Sequence, residues 1–420
     1  CFAKYERLQF LNFDVAIVGA GVAGLCCARH LQDLGLQCTL LELSDAVGGR
    51  VQTDEVDGFL LDRGFQVMLT AYPEAQKMLD YNELNLGEFY SGALVRCNGK
   101  FERIADPLRH PFDGLQSVFN GVGTWLDKAR VGLLRQRVLR GEWEDLFRQS
   151  IQTTEEGLRA EGFSRQMIEQ FFRPFLGGIF LEGDLKTPIS MCHFVLRMFS
   201  SGSATLPAAG MGAIPVQLAA GLPKSWIQLN RRAVSVKPAE LLLEDGERIS
   251  ARAVVIATEG PAAAELLGMN RPRSHSVTCI YFDAPQDPVG EPILVLNGQA
   301  RGPINNLCVP NQVCSSYAPA GSSLVSATVL GDTDVDVEIT VRQQLREWYG
   351  NSVEDWRLLH RFSIEHALPV QDPFLPLDQP TQVAEGLYVC GDHRDTPSLQ
   401  GAMLSGRRVA EAIAKDWEID

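Results

Sequence analysis

Apolar residues run unbroken from Val15 to Val18, the pattern of a strand buried on both faces. A glycine turn follows, Gly19-Ala20-Gly21-Val22-Ala23-Gly24, and beyond it Leu25, Ala28 and Leu31 fall on one face of a helix. Cys38-Thr39-Leu40-Leu41 is a second apolar strand, and it ends in Glu42. Strand, turn, helix and strand in this order predict a βαβ unit. Further strands are predicted at Phe59-Leu60-Leu61, at 232–236, at Ala253-Val254-Val255-Ile256 and at Leu387-Tyr388-Val389-Cys390, with a hairpin turn at Glu244-Asp245-Gly246-Glu247. A helix is predicted from Gly401 onward. Between these pieces, 114–140, 151–162 and 164–175 show apolar spacing close to one helical turn, and 277–282 and 323–329 read as strands before a helix at 335–349.

The first unit carries chemistry. Gly19 makes a tight turn, Gly21 lets the backbone approach a pyrophosphate, and Gly24 packs helix on strand. The amides of Val22 and Ala23 open the helix, where unpaired N–H groups and a partial positive charge favour phosphate. Glu42 stands where an acid accepts hydrogen bonds from both ribose hydroxyls of an adenosine. An ordinary α/β turn would need none of these residues in this order. The unit alone does not separate NAD from FAD. Downstream, Gly48 and Gly49 let the chain lie against a flat ring or a diphosphate, and Arg50 offers a fixed cation.

Gly48-Gly49-Arg50, then an apolar strand and Asp62-Arg63-Gly64, resemble the flavin-containing amine oxidase superfamily. That family includes monoamine and polyamine oxidases, protoporphyrinogen oxidase, phytoene desaturases and carotenoid isomerases. Gly391-Asp392, a loop, and Gly401-Ala402-Met403-Leu404-Ser405-Gly406 look like its C-terminal flavin motif. The resemblance implies noncovalent FAD, with Asp392 at the ribityl–pyrophosphate region. It puts the amides of Gly401, Ala402 and Met403 at the pyrimidine edge of the flavin, and the backbone of Val234 against adenine. Thr258-Glu259-Gly260-Pro261 departs slightly from the family's T-P. The implied fold is α/β: a Rossmann-like FAD domain assembled from 13–73, 208–262 and 384–416, with an α+β substrate domain from 74–207 and 263–383. Segments 173–180 and 206–212 resemble protoporphyrinogen oxidases and carotenoid desaturases.

The substrate is less legible, because fold does not fix function. Amine oxidases of the family place a lysine against flavin N5, yet between Lys237 and Lys415 there is no lysine. They also carry an aromatic cage residue before the C-terminal Gly-Ala, where Pro397-Ser398-Leu399-Gln400 stand here. No Cys-Tyr pair suggests a covalent flavin link, and Cys390 reads as a buried strand residue. The resemblance therefore points to a lipophilic, carotenoid-like substrate and hydride transfer at flavin N5, with an unknown electron acceptor. Protoporphyrinogen-type oxidation is the runner-up and amine oxidation is disfavoured. Rab GDP-dissociation inhibitors share the fold and bind prenyl groups without catalysis, but a chain holding no flavin has no need of the C-terminal motif. Phe163, Phe171, Phe172, Phe175, Phe180, Phe194 and Phe199 either line an apolar tunnel or form ordinary core. Met68, Met198 and Met211 are weaker candidates. His193 reads as a satisfied core residue, and His393 as the histidine nearest the cofactor.

Composition narrows the picture only a little. A net charge of −14 over 420 residues argues against a nucleic-acid partner. The ten cysteines have no metal-ligand spacing and point to a reducing compartment, cytoplasm or plastid. No apolar run is long enough to span a bilayer. Lys128, Arg130, Arg135, Arg137 and Arg140 alternate with Val131, Leu133, Leu134 and Val138, a basic amphipathic stretch suited to a membrane surface as well as to plain solvent. The chain begins at Cys1 rather than Met, which leaves open a targeting peptide ahead of it.

Overall fold

The computed structural model describes residues 13–118, 120–148, 151–331, 333, 336–374 and 376–419. The predicted βαβ unit is formed by β1 (Phe13–Val18), α1 (Val22–Asp33) and β2 (Cys38–Leu41). β1 is central and pairs in parallel with β2 and with Arg248–Ile256, which explains its unbroken apolar run. Ile227–Gln228 extends the parallel sheet beyond β2, and Leu387–Val389 extends it on the far side. Strands of one sheet thus come from three separated stretches of chain. α1 packs against the C-terminal helix, Leu399–Asp416, so closely that a Cβ at Gly406 would stand 2.3 Å from the Ala23 carbonyl oxygen.

A second sheet has seven strands in the order 357–369, 274–284, 323–330, 304–308, 294–296, 92–97, 100–105. Its two faces go to different cores. Ile280, Phe282, Val325 and Ala327 bury against Val341, Leu345 and Trp348 of the helix Val337–Tyr349. The alternate residues Cys279, Tyr281 and Leu324 face the main core. α3 (Arg173–Phe180) packs on that inner side against 304–308 and 323–330, while α2 (Trp125–Val138) and α4 (Ile189–Ser201) pack on each other.

Two helix expectations need correction. The stretch 114–140 is not one helix but Pro111–Val118 and α2, with residue 119 outside the described residues. Gly123, at φ +62°, holds a left-handed turn between them, and Thr124 with Asp127 then caps α2 reciprocally. The stretch 164–175 begins as helix at Arg165, passes through a π-turn at Ile168–Phe172 and runs on to Phe180. The strands predicted at 277–282 and 323–329 lie within Ser274–Ala284 and Ser323–Leu330.

Candidate active site

At the end of β1, Gly19 adopts φ +106°, and a Cβ there would meet the Ala257 carbonyl oxygen at 2.9 Å. Gly24 packs directly above it: its Cβ would fall 2.1 Å from the Gly19 oxygen. Gly21 is different. Its φ is −73°, open to any residue, and the nearest atom to a Cβ is the Gly48 oxygen at 4.0 Å. Gly21 faces open space because it borders a cavity of about 1550 Å³ that Val22 and Ala23 also line. No side chain caps α1, and its first internal bond is from Leu25 N to Gly21 O. An uncapped helix N-terminus on a cavity is an anion site.

Glu42 lines the same cleft and is 9% exposed. One carboxylate oxygen accepts from the Ala20 N–H at 2.8 Å, the other from the Ser44 N–H and hydroxyl, each at 2.9 Å. Glu42 therefore holds the glycine turn to the end of β2, and lone pairs remain on it for ribose hydroxyls. Val234, 45% exposed, borders the cleft beside Arg231 and Arg232. Gly48 and Gly49, at φ +119° and +59°, carry the chain under it. The Arg50 guanidinium lies 2.6 Å from Asp392 and donates to the Ala367 carbonyl at 3.0 Å. Burial alone would lower the Arg50 pKa, but the Asp392 carboxylate more than offsets this and holds it raised.

Gly391 and Asp392 line the cleft, followed by Ser398, Leu399 and Ala402. Gly401 and Met403 do not border it. Met403 is buried in the core, and a Cβ at Gly401 would stand 1.9 Å from the Thr396 oxygen, so this glycine serves close packing. Two of the three expected amides already have partners within the turn. The Gly401 N–H donates to the Ser398 hydroxyl at 3.1 Å and the Ala402 N–H to the Ser398 carbonyl at 2.9 Å. The cap reaches these donors first. His393 is packed against Gly391 and Gly260 and is not among the cavity-lining residues. Burial lowers its pKa to about 4 despite the neighbouring Asp392, so it is a neutral imidazole.

From this cleft the cavity continues into a tunnel. Phe171, Phe172, Phe175, Phe180, Phe194 and Phe199 all line it, while Phe163 sits behind Phe172 at a ring distance of 4.9 Å. Phe171 stacks on Phe175 at 5.4 Å, and Phe175 meets Phe199 edge-on at 5.4 Å. Met68, Met198 and Met211 are core and do not border it. His193 is half-buried and satisfied by Glu161 at 2.9 Å. Sequence reasoning missed the wall from 90 to 109, where Tyr90, Ser91, Asp106 and Arg109 border the cavity. No local motif marks them, since the second sheet brings them in. Among the described residues no His, Cys, Asp or Glu cluster could hold a metal.

The glycine turn, the uncapped N-terminus of α1 and Glu42 edge one cleft, which opens into a long apolar extension. The chain belongs to the flavin-containing amine oxidoreductase family, whose sequence profile matches residues 22–414, and it is an FAD-dependent oxidoreductase. It is 23% identical to the 15-cis-phytoene desaturase of an Oncidium hybrid cultivar, over 96% of this chain and 78% of the relative. Over 39% of the chain it is 27% identical to protoporphyrinogen oxidase 2 of Arabidopsis thaliana, covering 32% of that protein. A solved oxidoreductase from Methanosarcina mazei shares the fold at a TM-score of 0.74 and 19% identity, covering 94% of this chain and 99% of its own.

Proposed function

We propose that this enzyme moves a hydride from a C–H of an apolar, polyene-like substrate to its flavin. The observation that carries this reading is the phenylalanine-lined tunnel that joins the cofactor cleft without a break. Bound FAD supplies the hydride acceptor at N5. The chain's own residues bind, orient and keep water out. The cleft between 13–73, 208–262 and 384–416 holds the dinucleotide, and the tunnel from 74–207 and 263–383 aligns the substrate. Burying a long hydrocarbon there yields about 25 cal/mol per Å² without any polar contact. No lysine is available from the second insertion, and Ser398 and Leu399 stand where an amine cage would need an aromatic. From that insertion Val277, Leu294, Ile364 and Leu368 line the cavity without a titratable group, and Glu265 is its one lining carboxylate among the described residues.

Such a substrate leaves a bilayer more readily than it crosses water. The cavity's far rim includes Leu108 and Trp125, which are 75% and 68% exposed, and Leu133 nearby is 66% exposed. We take this rim to touch a membrane surface; no described helix is long and apolar enough to cross one. The test of function is an anaerobic titration with a polyene, a porphyrinogen, and mono- and polyamines, following flavin absorbance. Bleaching by the polyene is expected. Rapid bleaching by an amine, with the others inert, would overturn the proposal.

A further inference from the structure

The tunnel is apolar along most of its length, but its far end is cationic. Three cations border it there, Arg109, Arg135 and Lys128, with one bordering carboxylate, Asp106, while Glu102 and Asp127 face Lys128 from outside the lining. Arg109 is committed to structure: it donates to the Ser91 hydroxyl at 2.9 Å and to the Gly202 carbonyl at 2.7 Å, closing the C-terminal end of α4. Lys128 donates to the Asn120 side-chain oxygen at 2.8 Å. Arg135 is held more loosely. Its guanidinium lies 3.6 Å from Asp106 and 3.4 Å from the Ser200 carbonyl, and its Nε is buried with no partner. Asp106 in turn sits 3.9 Å from Arg109, so one carboxylate is shared between two guanidiniums. A pure hydrocarbon would desolvate these charges and give nothing in return. An oxyanion would pair with the loosely held terminal nitrogens of Arg135, beside two guanidiniums that share one carboxylate.

Resting on the reading of this cavity as the substrate site, we propose that Arg135, with Arg109 and Asp106, forms a subsite for one anionic terminus. The terminus is a carboxylate or phosphate on an otherwise apolar ligand whose body runs toward the flavin cleft. The oxyanion comes either from the end of the ligand in the tunnel or from a lipid headgroup at its mouth. Arg135 is a specificity-determining residue that acts at the end remote from the chemistry.

The test uses flavin-loaded protein and unreactive probes. Binding of oleate and of oleyl alcohol is measured by calorimetry, and flotation is measured with phosphatidylglycerol and phosphatidylcholine vesicles. The expected result is oleate favoured over the alcohol by about 10–100-fold, from charge-assisted hydrogen bonds. Arg135→Gln should abolish the preference, Arg135→Lys should keep part of it, and Asp106→Asn should enlarge it. Alcohol binding and flavin content should stay unchanged in all three variants. No preference among free probes, but anionic-vesicle binding lost only in Arg135→Gln, assigns the same subsite to a headgroup. Equal binding of both probes and both vesicles in wild type and Arg135→Gln overturns the proposal. So does a preference that survives Arg135→Gln. If oleyl alcohol itself fails to bind wild type, the tunnel reading falls and takes the subsite with it.

Discussion

A methyl group added at Gly21 and one added at Gly24 test different things. At Gly21 the backbone is ordinary and no atom lies nearer than 4.0 Å, so alanine leaves the fold intact. Its methyl group projects into the cleft, where the N–H groups of Val22 and Ala23 must reach a phosphate. Gly21→Ala should lower FAD affinity by about 10–100-fold with stability within ~0.5 kcal/mol of wild type. Gly24→Ala puts a methyl group 2.1 Å from the Gly19 oxygen, and overpacking of this kind costs about 1–3 kcal/mol whether or not flavin is bound. Flavin content and thermal unfolding of the flavin-free fraction separate the two. Full flavin occupancy in Gly21→Ala would remove the phosphate from this turn. Glu42 is a less clean probe, because its carboxylate also holds Ala20 and Ser44. A loss of flavin in Glu42→Gln mixes ribose recognition with loosening of the loop.

At the scale of the element, α2 presents an inverted surface. Leu134 and Val138 point inward, while Trp125, Leu126 and Leu133 point to solvent. The basic residues that the sequence singled out on this stretch are largely spent on protein partners. Arg137 pairs with Glu161, Arg130 approaches Asp127 at 3.8 Å, and Arg135 turns into the cavity. Membrane contact, if it rests on α2, is therefore carried by its apolar tip. Trp125→Glu with Leu133→Glu should reduce vesicle partitioning by about 100-fold or more, from roughly 1.5–3 kcal/mol per side chain withdrawn. Added salt should matter less than it would for a polybasic patch. Flotation with the double variant checks this; wild-type recovery in the lipid layer would exclude α2 as the contact. The sequence located this helix but not its orientation, since both of its faces carry leucine and arginine. It also ran the helix through Gly121 and Gly123, because helical spacing continues across a break that only backbone conformation reveals.

For the whole molecule, what was legible was local. The turn from Gly19 to Gly24, the strand ending in Glu42 and the Gly391-Asp392 loop are each marked within a few residues, and all three border the cleft. One tunnel wall was legible as a phenylalanine-rich stretch at 171–199, which the sequence left open between tunnel and core; 90–109 and 294–306 were not, because they join it through a sheet whose strand order no local pattern encodes. Asp62 shows the same limit. In sequence it is part of a Asp-x-Gly turn; in the fold it is fully enclosed. It accepts from the Thr53 hydroxyl at 2.6 Å, the Met211 N–H at 2.9 Å and the Tyr317 hydroxyl at 2.8 Å, while Tyr281 donates to its carbonyl at 2.8 Å. It thus ties the first flavin segment, the re-entry at 211 and the second sheet together. Burial raises its pKa to about 6 although these hydrogen bonds oppose the shift. Around it Tyr281, Tyr317, Cys279, Cys308 and Cys314 are all pushed up by burial and stay neutral as Asp62 titrates. An unfolded aspartate titrates near ~3.9, so between there and about pH 6 the folded chain binds the extra proton. The stabilisation from this group is complete below the unfolded value and is lost as pH rises through the folded one. Asp62→Asn keeps an acceptor for Thr53 and Met211, offers its amide to Tyr317 and cannot ionise. Relative to wild type it should gain about 2 kcal/mol on going from pH 4.5 to pH 8. Thermal unfolding of both proteins at the two pH values measures this. A difference that does not change with pH would mean that Asp62 stays ionised throughout and that its hydrogen bonds outweigh its burial.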